Sequence, residues 1–400
     1  MKLHRSSFYC FGLAALLTVG AAHADAVLDW NETAVSAFLA ARQTPADGAR
    51  ALAMVHVAMF DSINAIEQRY RPFAYQAKAA KNVSDEAAAA AAAHTVLMKL
   101  FPEQAQTLDA AYAAALAKIP NGEAKTAGIA LGRDAGSQCV AMRANDGAGG
   151  PATYRQKITP GVYSPTAFPV SSEWTKAKPW IMRDVAQFRP APPPLLTSAV
   201  WTRDIDEIRA IGARNSSVRT REQTEVARFW VLTGPPSWNP VVRSLAKSKN
   251  LSPIENARLF ALVNIAAADA FIAVFEAKYA YEFWRPVTAI RYETDPTWLP
   301  LVETPMHPEY PCAHCISSAA VAGVLESQFG TDTVSTISMT SAALPGVTRS
   351  WTRIDDYVQE IKNARIWGGI HYRNSTEVGE QMGKAIAQLV VKTAMTPLDQ

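Results

Sequence analysis

Four hundred residues, 49% apolar and 19% charged, are enough for one large or two medium cores and exclude a disordered or fibrous chain. The 39 basic and 36 acidic residues nearly cancel, without the net basic footprint of a general nucleic-acid binder. No nucleic-acid partner is expected, and any strongly basic site must be local.

In chain order, the first element is a leader. Lys2 and Arg5 precede an apolar run over residues 8–20, and Ala22-His23-Ala24 places small residues where a signal peptidase reads. This predicts a signal peptide over 1–24, cleaved before Asp25, and a secreted or periplasmic mature protein. The run is shorter than the roughly 18–20 residues that span a bilayer, and no later segment reads as a membrane span. Beyond it, 37 basic residues face 36 acidic ones, and Cys139, Cys312 and Cys315 remain. Three cysteines allow at most one disulfide, whose pairing stays open.

Helical patterning predicts elements over 46–66, over 86–100 with Ser84 or Asp85 as N-cap, and over 104–118 and 123–143. Glycines and prolines then interrupt residues 145–194, a stretch that reads as a wrap over a site or a plain connection. Helices resume over 201–213 and over 221–232, where Thr220 and Gln223 fit a capping box. Ser252-Pro253 opens a long helix over 254–284, ended by Pro286, and further helices follow over 312–329 and 374–394. Few segments alternate with period two. The expected fold is therefore all-α, with an N-terminal helical region (25–194) and a catalytic helical bundle (195–400). Helical surfaces of this kind leave a homodimer open.

Three short segments concentrate basic residues and histidine. In the first, Lys278 and Arg285 are seven apart, so a continuous helix would project both from one face and clamp an oxyanion. The bland alternative is a solvated face with Lys278 paired to Glu282. In the second, Cys312-Ala313-His314-Cys315 opens a helix whose first-turn N–H groups attract anions, and His314 is placed to move a proton. Cys312 and Cys315 also fit a redox pair, but without the expected preceding strand, and a zinc cluster with His307 is too crowded in sequence. In the third, Arg365 precedes Gly368-Gly369 and His371, and Ser375 follows four residues later, where a hydroxyl would fix the imidazole tautomer. Core packing is the bland reading of a lone histidine, and equally of Trp284, Trp351 and Trp367.

Lys-x6-Arg-Pro, Pro-x-x-His and Arg-x5-His, in this order, resemble the vanadium-dependent haloperoxidase and type 2 phosphatidic acid phosphatase superfamily, in particular its exported bacterial branch. The resemblance implies that His371 is either the protein ligand of vanadium or a phosphatase nucleophile. Lys278, Arg285 and Arg365 would neutralise the oxyanion, with Cys312 and the Ala313 N–H adding hydrogen bonds and His314 acting as acid and base. The implied cofactor is vanadate, with hydrogen peroxide and halide as substrates. The alternatives are a cofactor-free periplasmic phosphatase that uses a phosphohistidine and takes the phosphate of a phosphoester as its substrate group, or a non-catalytic oxyanion-binding protein. Cys312 stands where the family has Ser, Ala313 where it has Gly, Ala364 where it has Ser, and Ser375 where it has Asp. A thiol is a weaker donor than a hydroxyl, and the loss of Asp removes a charge that would support His371.

Overall fold

The computed structural model describes residues 25–331 and 335–398; the expected signal peptide lies outside them. The described residues form α1 (Ala26–Ala41), α2 (Pro45–Glu67), α3 (Asp85–Leu100), α4 (Ala105–Ala117), α5 (Glu123–Met142), α6 (Ala199–Ile211), α7 (Arg221–Phe229) and α8 (Asn239–Lys249). They continue with α9 (Pro253–Tyr281), α10 (Pro286–Glu293), α11 (Ala313–Phe329), α12 (Ile354–Trp367) and α13 (Arg373–Thr393). One antiparallel hairpin, β1 (Ile337–Ser341) with β2 (Leu344–Trp351), joins α11 to α12. The expected all-α architecture is what the chain adopts.

Local chemistry sets many boundaries. Ser84 caps α3 by accepting from the Ala87 N–H, and reciprocal capping boxes open α2 at Thr44 and α7 at Thr220. Ser252 with Glu255 does the same for α9. The α1, α8, α10 and α12 helices and the hairpin are additions to the sequence reading.

The α9 helix is the axis of the molecule. It is apolar on nearly every face and packs against α1, α2, α11 and α13, within one hydrophobic cluster that also includes α3, α8 and α12 residues. By length and composition α9 could cross a membrane. This corrects the expectation that no segment beyond the leader has that character; here its apolar surface is covered by the surrounding helices. Because one cluster takes residues from both sides of position 194, the two halves share a core.

Close backbone approach holds the last helix in place. A Cβ added at Gly383 would lie 2.3 Å from the Ile316 carbonyl oxygen, and one at Gly379 would lie 2.8 Å from that of Cys312. The α13 helix thus rests directly on the first turn of α11.

Residues 145–194 are anchored rather than free. Asp269 on α9 accepts the Trp180, Ile181 and Met182 N–H groups at 2.7, 2.8 and 3.1 Å. Farther along, the Val170 N–H donates to the Met306 carbonyl at 2.9 Å. The stretch therefore passes beside the loop before α11, and Val170 and Ser171 line a cavity there.

A buried histidine makes the core acid-sensitive. His56 on α2 stacks on Phe260 with 5.1 Å between ring centroids, and its Nε2 accepts from Asn31 Nδ2 at 2.8 Å. Burial, aided by the charge of Arg243, pushes this imidazole down to about 3 from 6.5. The unfolded chain takes the proton first as pH falls. The contribution is full above 6.5 and is lost between there and about 3, at up to about 1.4 kcal/mol per pH unit. The urea midpoint should fall between neutral pH and about pH 5, and by less in His56→Gln; equal falls would assign the acid sensitivity elsewhere.

Candidate oxyanion site

The chain breaks between Lys278 and Arg285. The α9 helix ends at Tyr281, and Glu282 turns left-handed with φ of 49°, so Arg285 becomes the N-cap of α10. The two cations do not share one helix face as expected, and Glu282 pairs with Lys157 rather than Lys278. They are brought together by the turn. Lys278 Nζ donates to the Pro308 and Glu309 carbonyls at 2.8 and 2.7 Å. Arg285 donates from Nε to the His307 carbonyl at 2.9 Å and from Nη1 to the Ile370 carbonyl at 2.8 Å. Its Nη2 lies 3.0 Å from His307 Nδ1.

His371 lies in the short connection between α12 and α13, just before the N-cap Tyr372. Gly369, at φ of 78°, makes the turn, and an added Cβ there would strike the Gly212 carbonyl at 2.4 Å. The imidazole is buried, with Nδ1 2.8 Å from Glu309 Oε1 and Nε2 3.3 Å from Arg285 Nη1. The Tyr372 N–H donates to the same Glu309 oxygen at 3.0 Å. The expected hydrogen bond from Ser375 to the imidazole is not made; Ser375 lies against the Glu309 carboxyl instead.

Cys312 departs from expectation more fully. It is joined to Cys315 in a disulfide, so it has no S–H to offer an oxyanion, and neither sulfur is free to act as a zinc thiolate. Its sulfur accepts the Cys315 N–H at 3.2 Å as the N-cap of α11, and its own N–H donates to the Ser375 carbonyl at 3.2 Å. Ala313 begins the helix at the wall of the cavity. His314 follows, with Nε2 3.3 Å from the Leu232 carbonyl, which requires the proton on Nε2 and leaves Nδ1 as its basic atom.

Arg365 closes the group from the end of α12. Its Nη1 donates to the Trp230 carbonyl, while its buried Nε has no partner. A cavity of about 340 Å³ is lined by His307, Ala313, His314, Arg365 and His371, with Phe271, Phe275, Val302 and Met306 on its apolar side. Thr44 and Pro45 at the start of α2 complete the lining, so the N-terminal region takes part in the site. The tryptophans pack elsewhere: Trp284 stacks on Trp201, Trp351 meets Trp230, and Trp367 packs at the main core.

Charge is concentrated and dry. Burial lowers all three imidazoles, His307, His314 and His371, well below the usual histidine value, and the nearby cations add to this. Burial also lowers Lys278, brings Arg285 down to about 10 and Arg365 to about 9, and leaves both guanidinium groups charged near neutrality. Glu309 is raised by burial to about 7, against the pull of Lys278 and Arg285. One carboxyl therefore faces two guanidinium groups and the Lys278 amine, an arrangement suited to a multivalent anion. Glu309 and His307 were not among the expected oxyanion residues. A carboxylate 62 positions before its histidine leaves no periodic signal.

A mostly helical bundle thus encloses histidines and desolvated cations around one cavity. Residues 258–400 match the family described as the VCPO second helical-bundle domain. The chain is 32% identical over 168 residues to the vanadium chloroperoxidase of Curvularia inaequalis, a match that covers 32% of this chain and 28% of that enzyme. Its fold resembles a crystal structure described as the first bacterial vanadium-dependent iodoperoxidase, with a TM-score of 0.83 at 24% identity, covering 94% of this chain and 97% of that one. An apo-type bacterial vanadium-dependent chloroperoxidase gives 0.71 at 17% identity, covering 86% and 91%.

Proposed function

We propose that this chain is an exported vanadium-dependent haloperoxidase that oxidises halide with hydrogen peroxide. The observation that carries the reading is the donor set around the cavity. Arg365 Nε is buried with no partner, and His371 Nε2 has only the long approach of Arg285. A buried donor without an acceptor is costly, so Arg365 Nε fits an oxygen of an oxyanion, while His371 Nε2 offers a lone pair to its central atom. His371 would hold the vanadium, and Lys278, Arg285, Arg365 and the Ala313 N–H would hold its oxygens. Bound vanadate supplies the activation of peroxide toward halide. The chain itself contributes fixed positive charge in a water-poor pocket, together with His314 Nδ1 as the atom that takes and returns a proton.

Two further features support the reading. The disulfide leaves no free thiol at position 312 for peroxide to oxidise. It also suits export, since such bonds persist in oxidising compartments, and the leader sequence points the same way.

The test is to load the purified chain with orthovanadate and assay bromide and iodide oxidation by peroxide beside hydrolysis of an aryl phosphate. Halide oxidation that requires vanadate is expected. Hydrolysis that vanadate abolishes, without halide oxidation, would move the assignment to a phosphatase. Vanadate binding with neither activity would leave a non-catalytic oxyanion binder.

A further inference from the structure

We propose that Glu309 is the positioning residue of His371, holding its proton on Nδ1 and its Nε2 lone pair toward the cavity. The inference rests on the proposed oxyanion reading of the site. Two neighbours select the same tautomer independently. Glu309 Oε1 lies 2.8 Å from Nδ1 and, as a carboxylate, accepts a proton there. Arg285 Nη1 lies 3.3 Å from Nε2 and only donates, so Nε2 must present its lone pair. The other groups acting on His371, namely Arg285, Lys278, Arg365 and His307, all disfavour its protonation. Among the described residues, Glu309 is thus the one charged group bonded to this imidazole that favours electron density on the ring.

Glu309 is itself firmly placed. Its N–H donates to the Phe283 carbonyl at 2.9 Å, and its carbonyl receives Lys278 Nζ at 2.7 Å. Its Oε1 also takes the Tyr372 N–H, which ties the carboxyl to the backbone just after the histidine. Lys278 therefore both balances the carboxylate and pins the loop that carries it. Ser375, in the first turn of α13, lies against the same carboxyl and has no charge of its own.

The placement makes a reciprocal prediction. Glu309→Gln keeps the shape and removes the charge, and should weaken orthovanadate binding to the full-length apoprotein by about 10- to 100-fold in calorimetry. Adding Ser375→Asp to that variant returns a carboxylate from α13 and should recover most of the affinity. In protein labelled with nitrogen-15 at histidine, the His371 Nδ1 proton should resonate far downfield in the vanadate-free wild type. It should move upfield in Glu309→Gln, as a charge-assisted hydrogen bond becomes a neutral one. A purely structural role would not produce rescue by a charge on another helix. Unchanged vanadate affinity together with an unmoved Nδ1 proton in Glu309→Gln would overturn the inference. A wild type that does not bind orthovanadate would instead defeat the oxyanion reading, and the Nδ1 proton would then decide the part played by Glu309 alone.

Discussion

His371→Ala is expected to eliminate measurable orthovanadate binding and to lower turnover, whichever anion chemistry the site performs, by at least about a thousandfold. The reason is geometric. The Nε2 atom of His371 is a lone-pair donor fixed from behind by Glu309 and flanked by Arg285, and no neighbour can move into its place. His307 is engaged by Arg285, and His314 is oriented by the Leu232 carbonyl. The fold should persist, because Glu309 keeps the Tyr372 N–H. Far-ultraviolet circular dichroism checks this. His314→Ala should behave differently, retaining vanadate binding while turnover falls about 100- to 10,000-fold through loss of proton transfer. Substantial turnover in His371→Ala would mean that the reacting atom sits elsewhere in the cavity.

Lys278→Met should be the most destabilising single change at the site. The amine is fully buried and is the donor for two carbonyls in the loop before α11. Methionine fills similar volume but leaves both carbonyls without that donor and removes a cation that balances Glu309. Breaking a buried charge pair from one side typically costs about 3–5 kcal/mol, a large share of the usual 5–15 kcal/mol of a folded domain. The urea midpoint should fall accordingly with little change in slope, and oxyanion binding should weaken in the protein that remains folded. An unchanged midpoint would show that the Pro308 and Glu309 carbonyls find other donors. The effect would link function to stability, because the side chain proposed to draw the anion also pins the loop that carries the Glu309 carboxyl.

Much of the framework was legible in short-range chemistry. Ser84, Thr220 and Ser252 announce their helices because a cap is satisfied within three residues, and the apolar run after Ser252 announces α9 for the same local reason. The three basic and histidine segments were also readable, since identity and order are properties of the chain. Their assembly was not. The turn at Glu282 separates Lys278 from Arg285 along the chain and reunites them in space, against an expectation based on helical periodicity.

The sequence alone determined the helical class and the residues that carry charge into the site, because caps, periodicity and residue identity act over a few positions. Tertiary structure decided how those residues are used. It joined Cys312 to Cys315, set Glu309 rather than Ser375 against His371, and drew Val170 and Pro45 to the cavity wall. It also enclosed α9, whose length and apolarity alone would suit a membrane equally well. Each of these outcomes depends on backbone placement or side-chain packing in three dimensions, where residue order no longer specifies which groups meet.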